Sequence, residues 1–168
     1  SLDGKTKVVD DAATYLPTGI CLASTWNKDL GYEYGKVLGS EAKARGKDII
    51  LGPGVNIIRS PLNGRNFEYL SEDPYLTSKM AIGYIKGVQD QGIAACIKHY
   101  IANNQETKRA EVDAILSERA LREIYLPAFK DGVQKAHVYT LMGSYNLENG
   151  QNPTLHNYLI NYFLKGEL

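Results

Sequence analysis

At 168 residues, 43% of them hydrophobic and 23% charged, the sequence has the size and composition of a folded domain with an apolar core. Nineteen basic residues balance nineteen acidic ones, so no net field draws the chain to nucleic acid or to an anionic membrane surface. No apolar run approaches the roughly 20 residues of a membrane span, and the two cysteines and three histidines show no metal-ligand spacing, so neither a membrane partner nor a metal or other cofactor is expected.

The first twenty residues read as irregular. A charged stretch over residues 3–11 leads to Tyr15-Leu-Pro-Thr-Gly19, and no charged-then-apolar leader is visible, which leaves the compartment open. Residues 20–24 form a short apolar run and a strand candidate. Asn27 is placed to cap a helix reaching about Ala44, with Leu30, Tyr34, Val37, Leu38 and Ala42 as its apolar stripe and Gly46 as its stop. Residues 48–51 are the next strand, closed by Gly52-Pro53-Gly54, and residues 55–58 are a further apolar run. Ser71 to Pro74 carry helix-start signals, followed by a stripe of Leu76, Met80, Ile82, Tyr84, Ile85 and Val88 and a stop at Gly92.

Residues 93–97 are apolar without alternation, the pattern of a parallel strand buried on both faces, and they run directly into Lys98-His99-Tyr100. A polar loop over residues 103–111 follows. Ser117 caps the next helix, which reaches about Ala136 and contains Pro127, so a kink or break near Leu126 is expected. Residues 139–144 are another strand, ending in Tyr145-Asn146, and residues 154–164 are the last helix, stopped by Gly166. Cys21 and Cys96 both lie in apolar runs and are expected as buried free thiols.

Strands alternate with helices, which implies an α/β fold with a parallel sheet. Functional groups in such folds collect at the carboxyl ends of strands. Arg65, the Lys98-His99 pair and Tyr145 each occupy that kind of position. The stretch from Gly64 to Pro74 is the densest in chemistry: the planar donor fork of Arg65 can grip hydroxyl or carboxylate oxygens, and Glu68, Glu72 and Asp73 read as a frame that orients it and caps the following helix. Two neighbouring cations beside Arg65 favour an anionic or multi-hydroxyl partner. Asn103, Asn104, Gln105, Glu106 and Arg109 form a second polar cluster, in which amides supply both donors and acceptors, as sugar hydroxyls require. Gly52, Gly54 and Gly64 do not fit a phosphate loop, and no Gly-x-Ser-x-Gly elbow is present.

Taken together, Gly52-Pro-Gly-Val-Asn-Ile57, Gly64-Arg-Asn-Phe-Glu68, Glu72-Asp-Pro74, Lys98-His-Tyr100, Asn104-Gln-Glu106, Ser117-Glu-Arg-Ala-Leu-Arg-Glu-Ile-Tyr-Leu-Pro127 and Met142-Gly-Ser-Tyr-Asn146 resemble glycoside hydrolase family 3, the β-glucosidase and related exo-glycosidase family. The resemblance implies a partial (β/α)8 TIM-type barrel over residues 1–168, with parallel strands and alternating helices, and hydrolysis of terminal β-linked sugars with retention. It implies that Arg65, Lys98 and His99 hold sugar hydroxyls, that Tyr145 stands near the nucleophile and that Met142 lines the pocket. Asp3 is the candidate for an aspartate that binds outer hydroxyls, although Lys5 stands where the family motif has proline. The nucleophile aspartate and the acid/base glutamate fall beyond the motifs present, so no catalytic carboxylate is assigned within the chain.

Two main readings of function follow, and a third beside them. In one the chain supplies the sugar-binding groups of a β-glycosidase that acts on a β-linked glucoside or oligosaccharide. In the other it is a non-catalytic carbohydrate-binding module using the same rim; a third has it completing a barrel with another chain. About four strands are legible where a closed barrel takes eight, so an open sheet edge and self-association through it are expected. On that basis the isolated chain should aggregate in a light-scattering melt, with residues 93–97 and 139–142 facing a void; a clean monomer that melts cooperatively well above about 50 °C, within the upper mesophile range, would overturn this expectation.

Overall fold

The computed structural model describes residues 13–168. Helix α1 spans Gly19–Ala23 and α2 spans Lys28–Ala44; β1 is Ile49–Ile50, α3 is Pro74–Gln89 and β2 is Ala94–Tyr100. Strand β3, Asp113–Ala114, precedes α4, Glu118–Ala120, and α5, Pro127–Gln134; β4 is Thr140–Gly143 and β5 is Leu147–Glu148. The main sheet is parallel in the order β1-β2-β4, and β3 pairs with β5 in a separate parallel pair. Strands that alternate with helices and run parallel fit the segment of a (β/α)8-type barrel that the resemblance implies.

Strand β2 is the centre of the sheet. Its residues Ala95 and Ile97 are fully buried and Cys96 nearly so. Helix α5 comes so close to β2 that a Cβ on Gly132 would lie 2.7 Å from Ile97 Cδ1. The Tyr100 ring meets Phe129 edge-on at 5.2 Å, and its hydroxyl donates to Leu159 O at 2.8 Å. The void expected beside residues 93–97 is therefore absent, since neighbours on both sides and the helix layer cover them. At residues 139–142 the cover is incomplete, with Tyr139 exposed and residues 140–142 half-buried, and further bare apolar surface lies at the sheet margin, where Ile49 and Leu51 are each 48% exposed.

Several helix ends form as the sequence predicts. Asn27 Oδ1 accepts from Asp29 N, both Asp73 carboxylate oxygens accept from the first turn of α3, and Ser117 Oγ accepts from Ala120 N. Gly46 and Gly92 end their helices with φ of +64° and +79°, which side chains resist. The break expected near Leu126 is present: the chain widens into a π-helical turn over Leu121–Tyr125, with Leu126 N donating to Leu121 O, bends at Leu126, and starts α5 with Pro127 in its first turn, where no backbone N–H is required.

Three expectations are corrected. Residues 20–23 are helical and Ser24 caps that helix, because the Thr18 hydroxyl accepts from Cys21 N and starts a turn before the apolar run; Cys21 is exposed, while Cys96 is buried and both are free. The last helix begins at Tyr158 and continues through Gly166 to Glu167 as a wide π-type coil, because residues 152–155 are held in a turn by Asn152 Oδ1, which accepts from Thr154. Of the predicted stripe of α2, Tyr34, Leu38 and Ala42 pack half-buried against the core while Leu30 is exposed, and the fully buried positions are Gly31, Gly35 and Gly39.

That glycine row packs α2 against α3 backbone to backbone. A Cβ on Gly35 would sit 2.2 Å from Tyr84 O, and one on Gly87 of α3 would sit 2.1 Å from Tyr32 O. Neither clash can be relieved without parting the helices. Gly35→Ala should therefore destabilise the protein by about 1–3 kcal/mol in urea unfolding, despite alanine's intrinsic gain of about 1 kcal/mol in a helix. Stability equal to or above the parent's would show that the seam has slack.

Candidate functional site

The site forms where the strands of the main sheet end. Beyond β1 the chain stays extended alongside β2: Cys96 N donates to Gly52 O, Lys98 N to Pro53 O, and Val55 N to Lys98 O at 2.8 Å. This ladder fixes Lys98 at the strand end, and the register of β4 brings Met142 opposite it. Lys98 Nζ pairs with Glu68 Oε2 at 2.9 Å, and Arg65 Nε donates to Glu68 Oε1. One carboxylate thus holds two cations that the sequence separates by more than thirty residues. Burial pushes the Glu68 carboxyl up, but its bonds from Arg65 and Lys98 outweigh that and hold it below the usual carboxylate range.

His99 lies behind this layer, 3% exposed. Its N–H donates to Asn56 Oδ1 and its carbonyl accepts from Asn56 Nδ2, both at 2.9 Å. Its Nδ1 is 3.3 Å from the Tyr69 hydroxyl and 3.4 Å from Asn56 Oδ1, so both of these groups face one ring nitrogen, and Nε2 has no protein partner among the described residues. Burial, with the charges of Arg65 and Lys98 behind it, lowers the His99 pKa to about 4. The imidazole is therefore neutral near pH 7, able to donate or accept at a hydroxyl.

A second carboxylate, Glu106, meets the same rim. Its Oε1 accepts from Asn103 Nδ2 at 3.1 Å and lies 3.9 Å from Arg65 Nη1, and its Oε2 accepts from Arg109 Nη1 at 2.9 Å. The Arg109 guanidinium lies over the Tyr145 ring, 4.8 Å from its centroid. The Tyr145 ring is otherwise open to solvent, at 61% exposure. A cleft of about 290 Å³ opens beside the Glu68–Lys98 pair, walled by Leu51, Phe67 and the Gly52-Pro53-Gly54 turn.

Of the residues singled out from the sequence, Arg65, Lys98, His99, Met142 and Tyr145 fall on this one rim, while Asp3 lies outside the described residues. Asn56 and Tyr69, which set the His99 ring, escaped the sequence reading. A buried Tyr following Glu68 and an Asn inside an apolar run were the signals available; neither names its partner. The described residues contain no cluster suited to a metal ion and no helix long and apolar enough to cross a membrane.

The depressed His99 pKa has a consequence for stability. Between about pH 4 and 6.5 the unfolded chain binds the extra proton and the folded one does not, so stability is full above the unfolded value and falls as pH drops toward 4. His99→Gln should remove that part of the slope in unfolding measured across this window. An unchanged slope would show that the ring titrates freely in the fold.

The chain resembles known proteins in both sequence and fold. The model of the glycosyl hydrolase family 3 N terminal domain matches residues 1–168. β-Glucosidase BoGH3A of Bacteroides ovatus is 54% identical over 158 residues, covering 94% of this chain and 21% of the relative. An exo-α-(1→6)-L-arabinopyranosidase of Bifidobacterium longum is 47% identical over 165 residues, covering 98% of this chain and 22% of the relative. The solved structure of β-glucosidase 3B from Thermotoga neapolitana in complex with α-D-glucose superposes with a TM-score of 0.90 at 51% identity, over 92% of this chain and 22% of that one. The chain spans about a fifth of the length of the curated relatives it matches. With the match of the family model over its whole length, the chain belongs to glycosyl hydrolase family 3, as part of the N-terminal domain.

Proposed function

We propose that this chain forms the sugar-binding rim of a β-glucosidase-type glycoside hydrolase, one that cleaves terminal β-linked sugars with retention. The observation that carries the reading is the Arg65–Glu68–Lys98 chain of ion pairs, set beside the neutral ring of His99 at the ends of parallel strands. Three cations, Arg65, Lys98 and Arg109, meet two carboxylates, Glu68 and Glu106. A site so nearly neutralised suits a neutral polyol better than a phosphate, which would call for unpaired positive charge. Each cation keeps donors beyond those its carboxylate uses, and sugar hydroxyls both accept and donate.

In this reading Arg65 and Lys98 donate to hydroxyls of the sugar being cleaved, and His99 Nε2 makes a further bond from the strand end. Met142 lines the pocket and Tyr145 supplies its wall. Retaining hydrolysis needs two carboxyls about 5–5.5 Å apart, one attacking and one donating the proton. Glu68 is committed to two cations and its pKa is lowered, so it fits neither a proton donor nor a free nucleophile. The reading therefore assigns both catalytic carboxylates to parts of the protein outside this chain. The bound glucose of the Thermotoga neapolitana structure supports a gluco-type ligand, while the arabinopyranosidase relative shows that this segment is shared between enzymes named for different sugars.

The test uses the full-length protein containing this chain and an aryl β-glucoside. The parent should turn over, and Lys98→Ala should lower kcat/KM by roughly 10–100-fold, the scale of one or two charge-assisted hydrogen bonds. Unaltered kinetics in the variant would remove Lys98 from the sugar site. Binding of glucose by calorimetry with no turnover in the full-length parent would favour a non-catalytic carbohydrate-binding module.

A further inference from the structure

We infer that Glu106 is a positioning residue for this site: its carboxylate ties Arg65 to Arg109 and, through Arg109, seats the Tyr145 ring. This rests on the sugar-site reading for its functional meaning, though not for its geometry. Three chain segments distant in sequence meet here. Arg65 comes from the loop after β1, Asn103 from the residues just past β2, and Tyr145 from the residues just past β4.

Both Glu106 oxygens are engaged, and the residue that aims them is itself fixed. Asn103 is 2% exposed, and its Nδ2 donates to the Tyr69 hydroxyl at 2.9 Å as well as to Glu106 Oε1. The Tyr69 hydroxyl in turn faces His99 Nδ1. The turn that follows brings Arg109 N back to Glu106 O at 3.3 Å, so the carboxylate and the guanidinium leave the same side of one turn. The Glu106 side chain is 24% exposed and that of Arg65 20%, so water screens this pair less than it would an open surface pair, while Arg109 is 44% exposed. Without the carboxylate, the two guanidinium groups face each other with nothing between them. Arg109 then loses the partner that holds it flat over Tyr145.

Glu106→Gln keeps the size and the acceptor for Asn103 but removes the charge. In the full-length protein we expect the crystal structure of this variant to show Arg109 displaced from Tyr145. We expect glucose affinity by calorimetry to fall about tenfold and KM to rise with it, at an unchanged melting temperature. Glu106→Gln combined with Arg109→Ala should bind no more weakly than Arg109→Ala alone, since both changes break one chain of contacts. A merely structural role predicts the reverse: a lowered melting temperature with affinity intact. Arg109 unmoved in the variant, or losses that add, would overturn the proposal. If the parent protein itself binds no glucose, the sugar reading falls, while the Arg109 position in the Glu106→Gln crystal still decides whether Glu106 positions it.

Discussion

Near its carboxyl end the central strand of the sheet carries a lysine whose side chain is only 12% exposed, and that ammonium must be met. An unpaired cation at such a depth would cost several kcal/mol. Glu68 meets it, and the demands of that pairing organise the surrounding chain. The turn that carries Arg65 and Glu68 has to fold back over the end of β1, and the extended residues after β1 have to stay hydrogen-bonded to β2 so that Lys98 cannot drift. Arg65 then shares the carboxylate, which lets two cations stand close together at low net charge.

The layers behind the rim serve the same end. Asn56 grips both the N–H and the carbonyl of His99, and Tyr69 and Asn103 close a network around its ring. Buried polar groups of this kind are tolerable only when bonded, and once bonded they set a single ring orientation. Further out, the glycine row of α2 lets α3 lie close against it, and α3 in turn backs the sheet. The rim is therefore braced by backbone contact in the helix layer and by hydrogen bonds beneath it.

Local signals in the sequence were legible where local physics decides. The caps at Asn27, Asp73 and Ser117 lie where hydroxyl, amide and carboxylate oxygens precede helical runs, and the unbroken apolar run before Lys98 marked the buried strand. The strand expected at residues 20–24 failed because a threonine cap outweighs a run of four apolar residues. The glycine seam of α2 escaped the sequence reading, which found Tyr34, Leu38 and Ala42 beside it, because hydropathy ranks leucine above glycine, whereas close helix contact selects for the absence of a side chain. At the rim, the Gly64–Pro74 and Lys98–His99 clusters were visible as chemistry. What joins them was not, since the reach of Glu68 to Lys98, of Tyr69 to His99 and of Arg109 to Tyr145 exists only once the strands are paired. The two-residue strands β3 and β5 are too short to leave a pattern at all.

The account turns on whether the Arg65–Glu68–Lys98 layer and the open nitrogen of His99 meet the sugar. The most direct measurement is a crystal structure of the full-length protein soaked with glucose. The account predicts sugar hydroxyls within about 2.7–3.2 Å of Arg65, Lys98 and His99 Nε2, with Tyr145 along the sugar's edge. Glucose bound in full at a site that none of these residues touches would contradict it.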